Sequence, residues 1–284
     1  MKRLIVNADD FGLHTEVNRA IIKGYQQGCL RSTSLMPTGR AAEEAAELAC
    51  ENPGLGVAVH ITLVAEKPVL PPEKVPTLVG PDGYFFPDHI AFIRQFAAGR
   101  IRLAELRAEC EAQISRVEQL GVTISHLDSH QHLHVLPKII DLCLALMKEH
   151  NIQKMRLPAE GYLFSGGYPA PFARKIAKCG LTACAQLAAR KARRAGVLMP
   201  QAFFGMLAGG HMEQKYFSAI LRSLPEGVSE IMVHPGADNK ILGGFYDWQY
   251  HWEQELSSVT SEETMQYLAA QPIELISFKE LSHE

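Results

Sequence analysis

Leu4-Ile5-Val6-Asn7-Ala8-Asp9-Asp10-Phe11-Gly12, followed at once by the amphipathic run 16–27, sets a pattern that the rest of the chain repeats. An apolar, β-branched run ends in two acids and a glycine that permits a sharp turn. Apolar residues then recur at three- and four-residue spacing, the period of a helix packed on one face. Seven further runs have the same strand character: 34–37, 56–61, 124–129, 154–157, 202–206, 230–234 and 274–278. Helical stretches such as 41–50, 103–120 and 137–150 lie between them. Alternation of this kind predicts parallel strands joined by crossover helices. Seven or eight such units in 284 residues suit a (β/α) TIM-like barrel better than an open doubly wound sheet, although periodicity alone leaves both available. The expected organisation is one α/β barrel domain over residues 1–284, with loop insertions around 66–87 and 160–210. The first insertion is Pro-rich and carries a Gly80-Pro81-Asp82-Gly83 turn signal. The second holds a basic helix and the apolar run Phe203-Phe204-Gly205-Met206-Leu207-Ala208. Both are candidates for shaping a substrate pocket or, equally, a homo-oligomer interface.

Composition narrows the functional classes. With 47% hydrophobic and 21% charged residues the chain has an ordinary globular balance, and its net charge of −3 gives no footprint for nucleic acid or an anionic membrane. Arg190, Lys191, Arg193 and Arg194 form a basic knot that reads as a solvated helix face. Cys29, Cys50, Cys110, Cys143, Cys179 and Cys184 show no C-x-x-C spacing, which predicts reduced thiols. No apolar run approaches membrane-spanning length and the first residues do not read as a signal peptide, so a cytoplasmic protein without an integral membrane segment is expected. Phosphate-loop, dinucleotide and nucleophile-elbow motifs are missing from the sequence.

The chemistry-bearing residues sit where predicted strands end, the place a barrel puts its active site. Asp9 and Asp10 are adjacent carboxylates, and on a regular strand their side chains would point to opposite faces. They converge only where the strand gives way to a loop, and a cation would offset their repulsion. The run His126-Leu127-Asp128-Ser129-His130-Gln131-His132-Leu133-His134 packs four of the chain's twelve histidines into nine residues. Its alternation puts His126, Asp128 and His130 on one face, as a metal-binding imidazole with supporting partners requires. His60 lies within the apolar run Val57-Ala58-Val59-His60-Ile61. With Asp10 and His130 it completes two imidazoles and one carboxylate, a ligand set for a catalytic divalent ion: Zn²⁺, or Mg²⁺, Mn²⁺ or Co²⁺. His234, ahead of a Pro-Gly turn, is a candidate general acid, and Arg156 a candidate partner for a catalytic carboxylate.

Taken together, Asn7-Ala8-Asp9-Asp10-Phe11-Gly12, His60, the 126–134 histidine run and Met232-Val233-His234-Pro235 resemble the YdjC-like carbohydrate deacetylase family over almost the whole chain. The resemblance implies a (β/α) barrel and divalent-metal-dependent removal of the N-acetyl group from N-acetylglucosamine-type sugars, including chitooligosaccharides. It further implies Asp10, His60 and His130 as metal ligands, Asp9 as catalytic base, and His234 and Arg156 as further catalytic residues. Ala159-Glu160-Gly161-Tyr162 and Phe203-Phe204-Gly205-Met206 look like the hopanoid-biosynthesis branch, HpnK, which implies an N-acetylglucosaminyl glycolipid substrate. Other classes share parts of the residue set. A non-haem Fe(II) oxygenase uses two histidines and a carboxylate, an inert sugar-binding protein would retain the pocket, and a metal phosphoesterase would use a similar centre.

Overall fold

Strand β1 (Lys2–Phe11) runs through the middle of a seven-stranded sheet whose paired strands are all parallel, in a computed structural model that describes residues 1–282. Chain order continues with α1 (Thr15–Gln27), β2 (Ser32–Leu35), α2 (Ala42–Glu51), β3 (Gly56–Ile61), α3 (His89–Ala97), α4 (Leu103–Gln119), β4 (Ile124–Ser129) and α5 (Ile139–Glu149). It then runs through α6 (Phe172–Arg194), β5 (Ala202–Phe204), α7 (Gln214–Ser223), β6 (Gly227–Val233), α8 (Asn239–Gly243), α9 (Trp252–Thr260), α10 (Glu262–Ala270) and β7 (Ile273–Leu275). The spatial order is β4-β3-β2-β1-β6-β5, with β7 also paired to the start of β1.

The curled sheet is carried from β4 toward β5 by a short ladder. Arg156 N donates to Leu127 O, Leu127 N to Lys154 O, Met155 N to Leu198 O and Leu198 N to Gln153 O. The expected strand over 154–157 is therefore two isolated bridges, Leu127 with Met155 and Lys154 with Leu198. Pro158, which has no N–H to give, stops it from lengthening. The fold is the expected α/β barrel-like architecture.

Alternation along the strands separates two environments. Leu4, Val6 and Ala8 pack outward into the main apolar cluster with the helices. Ile5, Asn7 and Asp9 point inward. Ile5, Val228, Ile276, Phe278 and Leu281 make a small apolar floor at one end of the interior. Above it the interior is polar, and its largest fully buried side chain is Arg156. Barrel interiors are ordinarily filled by branched apolar layers, so ion pairing has to do here what packing does elsewhere.

One expectation about the loops is corrected. The run 203–208 offers no surface for a subunit interface, because Phe203, Phe204, Leu207 and Ala208 are all buried. Strand β5 stops at Phe204, since Gly205 adopts φ +112°, where a Cβ would sit 2.4 Å from the Met232 carbonyl oxygen. Within the insertion at 160–210 the basic residues lie on the long helix α6.

Candidate metal centre

Three strand ends deliver the centre. The β1–β2 register slips between Ala8 and Phe11, and Asp10 there takes φ 68°. That left-handed residue breaks the strict alternation of the strand, which is how two adjacent carboxylates come to serve one site. The neighbouring Gly12 also has positive φ, and its N–H is received by Asn18 Oδ1 at 2.7 Å. On β3, His60 is 1% exposed. After β4 the chain enters a 3-10 turn over His130–Val135 in which Gln131 and His132 are both left-handed. Their side-chain directions therefore depart from a simple extended reading.

The histidine run divides its labour. His130 Nδ1 lies 3.0 Å from Asp10 Oδ1. His134 contacts Ser129 Oγ and the Arg156 carbonyl, which ties the turn to the barrel wall. His132 lines the cavity, edge-on to Phe203. His126 lies deeper, stacked on Phe278 of the floor at 3.5 Å between ring centroids. Burial holds its imidazole down at about 3, and burial likewise lowers His134 to about 4 and His132 well below the ordinary range. These three are neutral structural rings.

One ligand atom from each of Asp10, His60 and His130 lies within 4.8 Å of the others. His60 Nδ1 is fixed by Asp128 Oδ1 at 2.7 Å, so Nε2 is the nitrogen turned toward Asp10, 3.5 Å from its Oδ1. His60 Nε2 and His130 Nε2 are buried without a hydrogen-bond partner, a costly arrangement unless something else satisfies them. A second set, Asp9, His60 and Asp128, is equally close. Its carboxylates are already committed, however: Asp128 to His60, Ser34 and Arg156, and Asp9 to Arg156 and Asn7. The Asp10 set thus fits a divalent ion, and Asp128 supplies the carboxylate that fixes the tautomer of the His60 ring.

Electrostatics show how strongly the centre calls for positive charge. Burial pulls His60 down, yet the Asp128 charge, the nearby Asp10 carboxylate and the hydrogen bond that Nδ1 gives to Asp128 carry it up to about 10. Burial pushes Asp10 up, and the charge and hydrogen bond of His130, with His60 and His234, hold it well below the carboxylate range.

Behind the centre one guanidinium serves three carboxylates. Arg156 Nη1 and Nη2 donate to Asp9 at 2.7 and 2.6 Å, Nη1 lies 3.0 Å from Asp128 Oδ2, and Nε donates to Glu230 Oε1 at 2.7 Å. The planar fork makes this sharing possible, which a lysine could not reproduce. Glu230, which sequence reasoning treated only as the start of a strand, is fully buried. Burial raises its carboxyl, Arg156 offsets part of that, and it stands at about 7. The alternation Glu230, Met232, His234 along β6 carried the signal, since it puts the glutamate on His234's inward face.

His234 lines a cavity of about 680 Å³ together with Asp9, His130, His132 and Tyr250. Glu255 on α9, also unforeseen, accepts the His234 backbone N–H and lies 3.9 Å from its Nδ1, which has no hydrogen-bond partner. Trp248 stands 5.6 Å from His130 and Tyr250 5.1 Å from His234, between ring centroids. The rest of the cavity wall is largely apolar, with Ile93, Leu133, Leu136, Leu181 and Met206. The structure brings all six sequence-derived residues, Asp9, Asp10, His60, His130, Arg156 and His234, into one contiguous site.

A family model described as YdjC-like protein matches residues 3–270, a span that contains every residue of this centre. The chain belongs to the YdjC-like family. This YdjC-like chain is 32% identical over 281 residues to a carbohydrate deacetylase of Thermoanaerobacter pseudethanolicus, covering 98% of each. It is 32% identical over 296 residues to a carbohydrate deacetylase of Mus musculus, covering 98% of this chain and 94% of that one. Among solved structures, an Enterococcus faecalis V583 protein described as a candidate cellobiose-phosphate cleavage protein superposes with a TM-score of 0.74 at 27% identity, covering 99% of both chains. Among the described residues no helix is long and apolar enough to cross a membrane.

Proposed function

We propose that the chain is a divalent-metal-dependent hydrolase that removes the acetyl group from an N-acetylglucosamine-type sugar. The observation that carries this reading is the pair of buried, unpartnered imidazole nitrogens of His60 and His130 beside Asp10, at the edge of a cavity of sugar size. The naming of its relatives as carbohydrate deacetylases supports the substrate class. Asp10, His60 and His130 hold the ion, which when bound supplies positive charge against the amide oxygen and makes water easier to deprotonate.

The remaining steps belong to the protein. Asp9, oriented through both oxygens by Arg156 and with Oδ2 4.0 Å from His60 Nε2, takes the proton of the attacking water. Asn7, which donates to Asp9 Oδ1 and to Ser34 Oγ, keeps that carboxylate from turning away. His234, across the cavity, protonates the departing amine, because an amide nitrogen leaves poorly as an anion. Glu255 fixes the backbone on which that imidazole is carried. The apolar cavity wall suits a substrate whose sugar bears an apolar aglycone, as an N-acetylglucosaminyl lipid of the hopanoid type would, and an unadorned chitooligosaccharide uses less of it.

The test is acetate release from N-acetylglucosamine oligomers and from an N-acetylglucosaminyl lipid, using metal-stripped protein resupplied with single divalent ions. Asp9→Asn is run in parallel with its metal content measured. Metal-dependent release, abolished in a variant that still binds metal, is the expected result. No release from either substrate with any ion, or turnover of a phosphorylated disaccharide in its place, would overturn the reading.

A further inference from the structure

Helix α6 turns an apolar stripe outward. Its inner face, Thr182, Ala185, Ala188, Ala189 and Ala192, is buried. On a 3.6-residue helix, positions 172, 176, 183, 187, 190 and 194 fall along the opposite line. Phe172 is 78% exposed, Ile176 57% and Leu187 54%, and Leu163, on the loop that Lys178 ties to the helix through the carbonyls of Gly161, Tyr162 and Phe164, is 99% exposed. Apart from Met1, Phe172 and Leu163 are the most exposed large apolar residues among those described. An apolar face of this kind calls for an occupant.

Charge identifies it. The 23 residues of α6 include seven basic side chains and no acidic one, in a chain whose total is −3. Lys178 is spent on the loop, Arg174 on the Met206 and Gly209 carbonyls and Lys191 on Asp141. Lys175, Arg190, Arg193 and Arg194 are exposed and have no ion-pair partner among the described residues. The stripe thus passes from Phe172, Ile176 and Leu187 into Arg190 and Arg194. A second copy of the same face would offer these cations no acid to pair with, since α6 carries none, whereas a bilayer with anionic headgroups accepts both the apolar side chains and the cations.

We propose that α6 and Leu163 dock the protein on an anionic membrane surface, with the helix lying in the interfacial plane. The basic knot then serves that contact rather than solubility alone. Ala177, Gly180, Leu181 and Cys184, one helix side away from the stripe, line the candidate active-site cavity. Docking therefore puts the rim of that cavity at the headgroup layer.

The test is co-flotation of the full chain with vesicles of phosphatidylcholine alone or with about 30% phosphatidylglycerol, at low and high salt. Binding to the anionic vesicles that weakens with salt is expected. Each surface cation contributes roughly fivefold, so Arg190→Ala, Arg193→Ala and Arg194→Ala together cost on the order of a hundredfold in affinity. Phe172→Ser with Ile176→Ser and Leu163→Ser lowers it by at least about as much, while far-UV circular dichroism and hydrolysis of a water-soluble substrate stay unchanged. Lack of binding to anionic vesicles overturns the proposal. So does light scattering that shows a dimer which the serine substitutions dissociate, for the face would then be a self-association surface. Vesicle binding is scored without acetate release, so this result and that of the deacetylase assay are separable.

Discussion

Glu230→Gln separates the charge of the buried network from its shape. Glutamine keeps an oxygen for Arg156 Nε, now received at 2.7 Å, and removes one of three carboxylates crowded around a single guanidinium. Burial, partly offset by Arg156, raises the Glu230 carboxyl from 4.5 to about 7. A carboxyl whose folded value lies above its unfolded one binds more protons in the native state, so stability falls as pH rises through about 4.5 to 7 and stays lost above that. Two and a half units at 1.36 kcal/mol each make the loss at pH 8 about 3 kcal/mol. Glu230→Gln should therefore stabilise the protein by between about 1 and 3 kcal/mol at pH 8, or up to about 5 °C for a chain of this size, and change little at pH 4.5. Urea unfolding of both proteins at the two pH values measures this. A variant less stable than the parent at pH 8, or a difference independent of pH, would refute the account of Arg156 as an overcommitted cation.

Asp128→Asn removes the carboxylate that fixes the His60 ring, and divalent-metal affinity should fall about 10–100-fold by titration calorimetry while the ligands remain in place. His126, His132 and His134 are held neutral by burial, with folded values below 6.5, so the unfolded chain takes up more protons as pH falls from about 6.5 to 4. The stability that their neutrality confers is complete above that window and drops by up to about 4 kcal/mol per pH unit within it. This is best followed by urea unfolding in the Glu230→Gln background, where one opposing titration is removed. Gly205→Ala puts a Cβ against the Met232 carbonyl at φ +112°, which should destabilise by at least about 2 kcal/mol, read as a lowered urea midpoint with an unchanged slope.

The barrel-like sheet was legible because each βα unit declares itself locally, through an apolar run followed by an amphipathic one. Gly56–Ile61 and Ile124–Ser129 match the structure at both ends. Residues 154–157 lost strand status because pairing depends on neighbours, which no single run reveals. The grouping of Asp10, His60 and His130 was legible because they are polar residues at the ends of apolar strands, and the structure sets one ligand atom of each within 4.8 Å of the others. What supports them was not: Asp9 and Asp10 meet through a left-handed residue and a register slip that sequence does not show. Nothing in the runs around Glu230 and Glu255 marks either as a buried acid, and only their partners, the Arg156 side chain and the His234 backbone, place them. The run 203–208 read as exposed because a sequence does not say on which side of a turn its aromatic residues fall.

Strand β1 pairs with β2 on one flank and with β6 and β7 elsewhere, and the interior is floored by Ile276, Phe278 and Leu281. During synthesis, then, β1 emerges before two of its partners, which lie more than two hundred residues downstream, and the ionic interior stays open to water until the last of them arrives. Assembly cannot proceed strictly from the N-terminus. Its closing step has high contact order, and a nascent chain halted before residue 281 would hold Arg156 and its carboxylates in a bowl without a base.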